Sequence, residues 1–352
     1  MKLNIAIFDK DKAYTERLLR MFQANYAGQI AISVFSDEEI FLEKLKNQYY
    51  VYIISSNEDP EFLGKIPGNI PVAFLVPDNS IGEVAGHPAV GKYQSIDAIY
   101  RRIMELCAKK VPETKMSFGG KRAKTVLFTS LQGGSGTTSC AAAFAVNLAS
   151  RGKKVFFLDL NTVTASSRIF GGDERGSFSD VIFAMKSTEE NFQLLLESLK
   201  HTDSSGVGFF AKCQRAQDML ELEDKDVEEL VETLRQAESC DYLIIDYSSD
   251  FSSREKLLLG ELTDTVVYVS DLSENGRYAF SQFCELTRFV EKREKCAILE
   301  KSALLYNKFD GNSTEIRQDL PVMVWGAVPA VNGADNRERV SVMSYCGEFN
   351  GV

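Results

Sequence analysis

Ser130-Leu131-Gln132-Gly133-Gly134-Ser135-Gly136-Thr137-Thr138-Ser139 combines three glycines with a run of hydroxyl side chains. Glycines let successive backbone N–H groups turn toward one point and form an anion nest, and a helix starting there adds its partial positive charge. A hydroxyl at the end of such a loop can ligate a divalent cation that also holds phosphate oxygens. Two carboxylates complete the pattern downstream: Asp159 ends the apolar run Val155-Phe156-Phe157-Leu158, and Asp246 ends Tyr242-Leu243-Ile244-Ile245. Taken singly, either carboxylate reads as a turn or helix cap. Their order relative to the loop makes them a set suited to a magnesium-bound phosphate chain.

The elements that must position these groups are legible as continuous apolar runs. Thr125-Val126-Leu127-Phe128-Thr129 precedes the loop, and an alanine-rich segment from Cys140 to Leu148 follows it as a tightly packed helix. Further strands are expected at Gly206–Ala211, Thr265–Val269, Ala303–Lys308 and Val322–Pro329, with an acidic amphipathic helix at Asp224–Ala237. Apolar strands alternating with helices predict a mostly parallel sheet covered on both faces. The first 108 residues repeat the theme on a smaller scale. Strands are expected at Leu3–Phe8, Ala31–Phe35, Tyr50–Ile54, Val72–Val76 and Ala89–Tyr93, in a doubly wound (βα)5 order. The expected division is therefore 1–108, a linker over 109–124 with Pro112, Gly119-Gly120 and several basic residues, and 125–352.

Composition narrows the function class. A net charge of −10 argues against a large nucleic-acid-binding face. Seven cysteines with no C-x-x-C pair, and two histidines far apart, give no disulfide framework or metal-binding pattern; the cysteines read as reduced and packed, as in a cytoplasmic protein. No apolar run approaches the ~20 residues that span a bilayer. The N-terminus opens straight into a strand, so no signal peptide is expected. The tail from Ser341 to Val352 carries no basic amphipathic pattern for a membrane surface.

The first half resembles the receiver domain of two-component signalling. Asp9 and Asp11 stand at the acidic-pair position and Lys92 at the lysine position, whereas the phosphoacceptor position falls on Ser55 or Ser56. A serine hydroxyl cannot form the acyl phosphate of that chemistry, so the resemblance implies a pseudo-receiver used for docking or dimerisation, with the aspartates capping or solvating the first helix. The second half resembles the MinD/ParA family of P-loop ATPases, whose loop reads K-G-G-x-G-K-[ST]-[ST]. By that resemblance the nucleotide contacts fall on Gln132, Gly133, Gly134, Ser135, Gly136, Thr137, Thr138 and Ser139. Thr138 and Asp246 are implied to hold Mg2+, directly or through water. Asp159 would close the strand before the first switch, Asn307 would contact the adenine of ATP, and the segment after Pro329 would wrap the base.

Two departures bear on the chemistry. The signature lysine that reaches across an ATP-bound dimer is Gln132, and the loop lysine that pairs with the β- and γ-phosphates is Thr137. A third difference is Asn161, where MinD-like members carry the aspartate that orients the attacking water. A charge-assisted hydrogen bond contributes about 1.5–3 kcal/mol, so losing one costs roughly one to two decades of affinity while the nest and the magnesium remain. Hydrolysis suffers more, because phosphoryl transfer depends on positive charge around the moving group. Arg168 and Arg175 are candidates to supply it, and no catalytic residue is assigned. As an architecture, a receiver-like module fused to an atypical MinD/ParA-like domain is similar to the TadZ/CpaE proteins of Flp (tight-adherence) pilus assembly. That resemblance implies a homodimer, located at a cell pole or peripheral to the inner membrane through partners, that positions pilus secretion components. Two other readings stand beside it: an active positioning ATPase, and an interaction module with an empty pocket.

Overall fold

A computed structural model describes residues 2–110, 122–163, 166–171, 176–186, 191–237, 240–311, 320–332 and 335–351. Most of the expected 109–124 linker, and Arg175, lie outside the described residues. The chain divides into two compact units, Met1–Gly119 with Lys186–Leu199, and Gly120–Met185 with Lys200–Val352.

Unit 1 runs β1 (Leu3–Phe8), α1 (Lys12–Asn25), β2 (Ile30–Phe35), α2 (Glu38–Asn47), β3 (Tyr52–Ser55), α3 (Pro60–Leu63), β4 (Val72–Val76), β5 (Glu83–Val84), β6 (His87–Gly91) and α4 (Ile96–Ala108). The sheet order is β2-β1-β3-β4-β6-β5, parallel except for the short β5 against β6. Aspartates at 11, 37 and 59 and Ser95 cap the four helices by accepting from backbone N–H groups in the first turn, which fixes where each helix starts. Between β4 and β6 the chain turns through β5 instead of a helix. One piece comes from far along the sequence: α7 (Phe192–Leu199) packs on α4, with Leu194 fully buried in the same apolar cluster as Ile99, Ile103 and Cys107. Asn191 secures it, donating its N–H to the Ala108 carbonyl at 3.1 Å and accepting from the Leu194 N–H.

Unit 2 is built on an eight-stranded sheet of order β14-β13-β12-β7-β11-β8-β10-β9, parallel except for β9 against β10. Its strands are β7 (Lys124–Thr129), β8 (Val155–Asp159), β9 (His201–Thr202), β10 (Val207–Phe209), β11 (Tyr242–Asp246), β12 (Thr265–Ser270), β13 (Ser302–Phe309) and β14 (Met323–Pro329). Its helices are α5 (Thr137–Ser150), α6 (Phe178–Lys186, its last residue falling in unit 1), α8 (Asp224–Gln236), α9 (Ser253–Gly260), α10 (Glu274–Glu294) and α11 (Asn336–Met343). Ala141, Ala142, Ala143 and Ala145 of α5 are fully buried, so small side chains let this helix lie close against the sheet. Around it Trp325 packs edge to face on Phe144 and Phe349, and Phe128 packs tilted against Phe144 and Trp325. This packing sets the loop between β7 and α5 at the carboxyl edge of the sheet, where open parallel sheets bind ligands.

Candidate functional site

The loop between β7 and α5 ends in a helix start that no side chain caps. Gly136 occupies the N-cap in the left-handed region (φ +87°), and Gly134 is left-handed as well (φ +76°). An L-residue is strained there, which is why glycine stands at both places. The first N–H groups of α5 therefore have no side-chain cap, as an anion-binding helix start requires.

Asp246 and Asp159 are adjacent partners on β11 and β8, so both carboxylates emerge on the same edge of the sheet. The Thr138 hydroxyl donates to the buried Asp246 carboxylate at 2.6 Å. Burial, and then the neighbouring Asp159 charge, hold the Asp246 carboxyl well above the usual carboxylate range, against the lowering effect of the Thr138 hydrogen bond. A buried carboxylate made costly by desolvation and by a second carboxylate is a site that a divalent cation relieves. Thr138 and Asp246 thus fit Mg2+, which would take its remaining ligands from phosphate oxygens and water. Among the described residues no cluster of three or more His, Cys, Asp or Glu could hold a metal by itself.

Asn161 is occupied structurally. Its side-chain amide donates to Asp159 at 2.9 Å and to the Asp246 carbonyl at 3.2 Å, and its oxygen accepts from the Ser248 N–H at 2.8 Å. It ties the ends of β8 and β11 together. An aspartate in its place would keep the acceptor and lose both donor bonds.

The two positions that lack lysine are also taken up locally. The Thr137 hydroxyl pairs with that of Ser135 at 2.8 Å. Gln132 turns onto its own chain, donating to Asp271 at 2.9 Å and Ser273 at 3.4 Å, with its amide oxygen buried against Gly276. A cation does reach the loop, from a place the sequence reading did not single out. Lys308, at the end of β13 and left-handed (φ +59°), donates from Nζ to the Gly134 carbonyl at 2.6 Å. Its charge helps hold the Asp271 carboxyl below its ordinary value: burial pushes that group up, but the hydrogen bonds from Ser273 and Gln132 and the Lys308 ammonium outweigh it. The available signal was its position directly after Asn307, and nothing in the local pattern connects it with a glycine 174 residues earlier.

Asn307 is buried, and its amide donates to the Ser135 carbonyl at 2.8 Å, so this side chain grips the loop backbone. The structure thus brings together Gln132, Ser135, Gly136, Thr137, Thr138, Asp159, Asp246 and Asn307, with Gly133 and Gly134 exposed at the loop tip. Ser139 lies half-buried in the first turn of α5. Pro329 is exposed at the end of β14, two strands out from β12. Arg168 is exposed on the short turn Ser166–Arg168.

In unit 1 the receiver-like positions are engaged otherwise. Asp9 is buried and pairs with Lys92 at 2.5 Å. Asp11 caps α1 by accepting from the Tyr14 N–H, and Ser55 closes a local turn with the backbone of Asn57.

Residues 1–108 match the family described as TadZ-like, receiver domain. No curated protein matches the chain in sequence. Among solved structures, the ParA family ATPase of Chlorobium tepidum TLS is 16% identical with a TM-score of 0.50, over 63% of this chain and 98% of that one. The MinD septum site-determining protein of Pyrococcus horikoshii OT3, solved with Mg-ADP, is 18% identical with a TM-score of 0.47, over 63% and 86%. A plasmid partition protein of Borrelia burgdorferi B31 bound to AMPPNP is 16% identical with a TM-score of 0.48, over 63% and 90%.

Proposed function

We propose that this chain, a TadZ-like receiver domain joined to a ParA/MinD-like P-loop fold, is a localisation and assembly scaffold of a Flp/Tad-type pilus secretion system. In this reading a magnesium-bound nucleoside triphosphate, ATP by the family resemblance, stabilises a homodimer and turns over slowly or not at all. The observation that carries it is a phosphate loop with its left-handed glycines and its Thr138–Asp246 pair in place, while Gln132, Thr137 and Asn161 are each committed to bonds within the chain. Magnesium supplies charge neutralisation between the phosphates and Asp246. The α5 N–H groups hold the anion, Thr138 and Asp246 orient the cation, and Lys308 brings positive charge to the loop's outer face. No lysine inside the loop is present to grip a transferring phosphoryl group.

The receiver-like unit supports a positioning role, since a serine at the acceptor position cannot form an acyl phosphate. Among the described residues no helix is long and apolar enough to cross a membrane, so attachment to a secretion machine would run through partners. The test is calorimetric titration of the full chain with ATP and Mg2+, beside a phosphate-release assay. Binding without turnover is expected. Turnover at the rate of a lysine-containing relative would establish a positioning ATPase instead, and absence of binding at millimolar nucleotide would leave an interaction module.

A further inference from the structure

The long helix α10 buries one side and leaves an apolar seam on the other. Phe280 and Phe283 pack on Tyr268 of β12, and Cys284, Thr287 and Val290 are buried with them. On the outer side Tyr278 is 68% exposed, Phe289 64% and Leu286 41%. Tyr278 and Phe289 stand 11 residues apart, about three turns, so they share one line along the helix, and Leu286 lies one turn from Phe289. Glu274 and Lys292, 18 residues or about five turns apart, extend that line at its two ends. Neither has an ion pair among the described residues, whereas Arg293, next to Lys292, is taken by Glu294 at 2.6 Å.

The order along this line identifies what covers it. Both pairs are centred at the same place, Phe283 and Cys284, so reading the seam backward exchanges acid for base and aromatic for aromatic. A second copy of the helix laid antiparallel sets Tyr278 on the partner's Phe289 and Glu274 on the partner's Lys292, and a twofold axis makes each contact twice. A parallel copy would set like charge against like at both ends. We infer that α10 pairs antiparallel with α10 of a second copy of this chain, along the seam from Glu274 to Lys292. Gln282 and Glu285, hydrogen-bonded to each other at 3.3 Å, lie at the crossing. The inference rests on the homodimer reading of the preceding subsection and gives that dimer its surface. The seam of one helix covers less than the about 800 Å2 per partner of a stable interface, so the contact is weak by itself. The nucleotide site reaches it through the start of the helix, where Gln132 of the phosphate loop donates to Asp271 at 2.9 Å and to the N-cap Ser273 at 3.4 Å.

The test is sedimentation velocity of the full chain across protein concentration, with and without Mg2+ and ATP. The parent is compared with Tyr278→Asp, Glu274→Lys, Lys292→Glu and the combined charge swap. The parent is expected to dimerise reversibly. Tyr278→Asp should raise the dimer Kd at least about tenfold, the scale of a lost aromatic anchor. Each single charge reversal should raise it about threefold or more, and the combined swap should return it to the parent's value. Both reversals oppose the helix dipole, so damage to α10 would accumulate in the combined variant, and recovery there reports pairing between copies. Trp325 fluorescence melts check that each variant is folded. A dimer that none of these variants weakens overturns the α10 contact and leaves the homodimer reading standing. Single reversals that weaken the dimer without recovery in the combined swap also overturn it. A parent that stays monomeric at every concentration, with and without nucleotide, removes the homodimer reading and the inference with it.

Discussion

Gly136 allows the loop's construction to be tested in energetic terms. Its backbone is left-handed, and a Cβ added there would overlap the side-chain amide nitrogen of Asn307. Gly136→Ala therefore incurs two costs. Holding an L-residue in the left-handed region costs about 1–2 kcal/mol. Displacing the buried Asn307 amide from the Ser135 carbonyl leaves polar groups unpaired, for about 1–3 kcal/mol more. The sum is a loss of about 2–5 kcal/mol from unit 2. Two neighbours separate the terms. Gly134 is left-handed, but an added Cβ meets nothing within 4 Å, so Gly134→Ala should show only the strain, about 1–2 kcal/mol. Gly133 has open space and no left-handed requirement, so Gly133→Ala should be neutral or slightly stabilising. Trp325 is the chain's one tryptophan and packs against Phe128, Phe144 and Phe349, so its fluorescence in a urea titration reports unit 2. The expected order of stability is Gly133→Ala above Gly134→Ala above Gly136→Ala. If Gly136→Ala falls within about 0.5 kcal/mol of Gly133→Ala, the account of a loop held from above by Asn307 is wrong.

Asp246 gives a pH prediction. Its raised carboxyl keeps a proton in the folded state where the unfolded chain has lost it, so the associated stability is fully present below the ordinary carboxylate range. It is lost as pH rises through the folded value. Asp246→Asn should remove that slope, make the metal-free protein more stable at neutral pH, and abolish the stabilisation that Mg2+ with nucleotide gives the parent. Thermal melts across pH, with and without Mg2+ and nucleotide, check all three. In unit 1, Lys92→Met leaves Asp9 as a buried charge without its cation and should cost about 3–5 kcal/mol. Hydrogen exchange of the β1 peptide should then speed up markedly, and adding Asp9→Asn should recover much of the loss.

The sequence by itself determined the parallel strands, because strands buried on both faces read as unbroken apolar runs, but not the short antiparallel β5 and β9; it also determined the loop, because left-handed backbone demands glycine at 134 and 136. The order of Asp159 and Asp246 after that loop was equally legible, and their adjacency on β8 and β11 follows from the parallel sheet. What the sequence could not determine is where side chains go once strands distant in the chain become neighbours. Lys308 meets Gly134, Asn307 turns onto the Ser135 carbonyl, Gln132 folds onto Asp271, and α7 leaves the second half of the chain to join the first unit. None of these has a local period or spacing, since each contact joins residues brought together only by packing. Tertiary structure therefore decided which groups face the phosphates and which are spent inside the protein, because burial favours a partner for each polar side chain and geometry chooses which one.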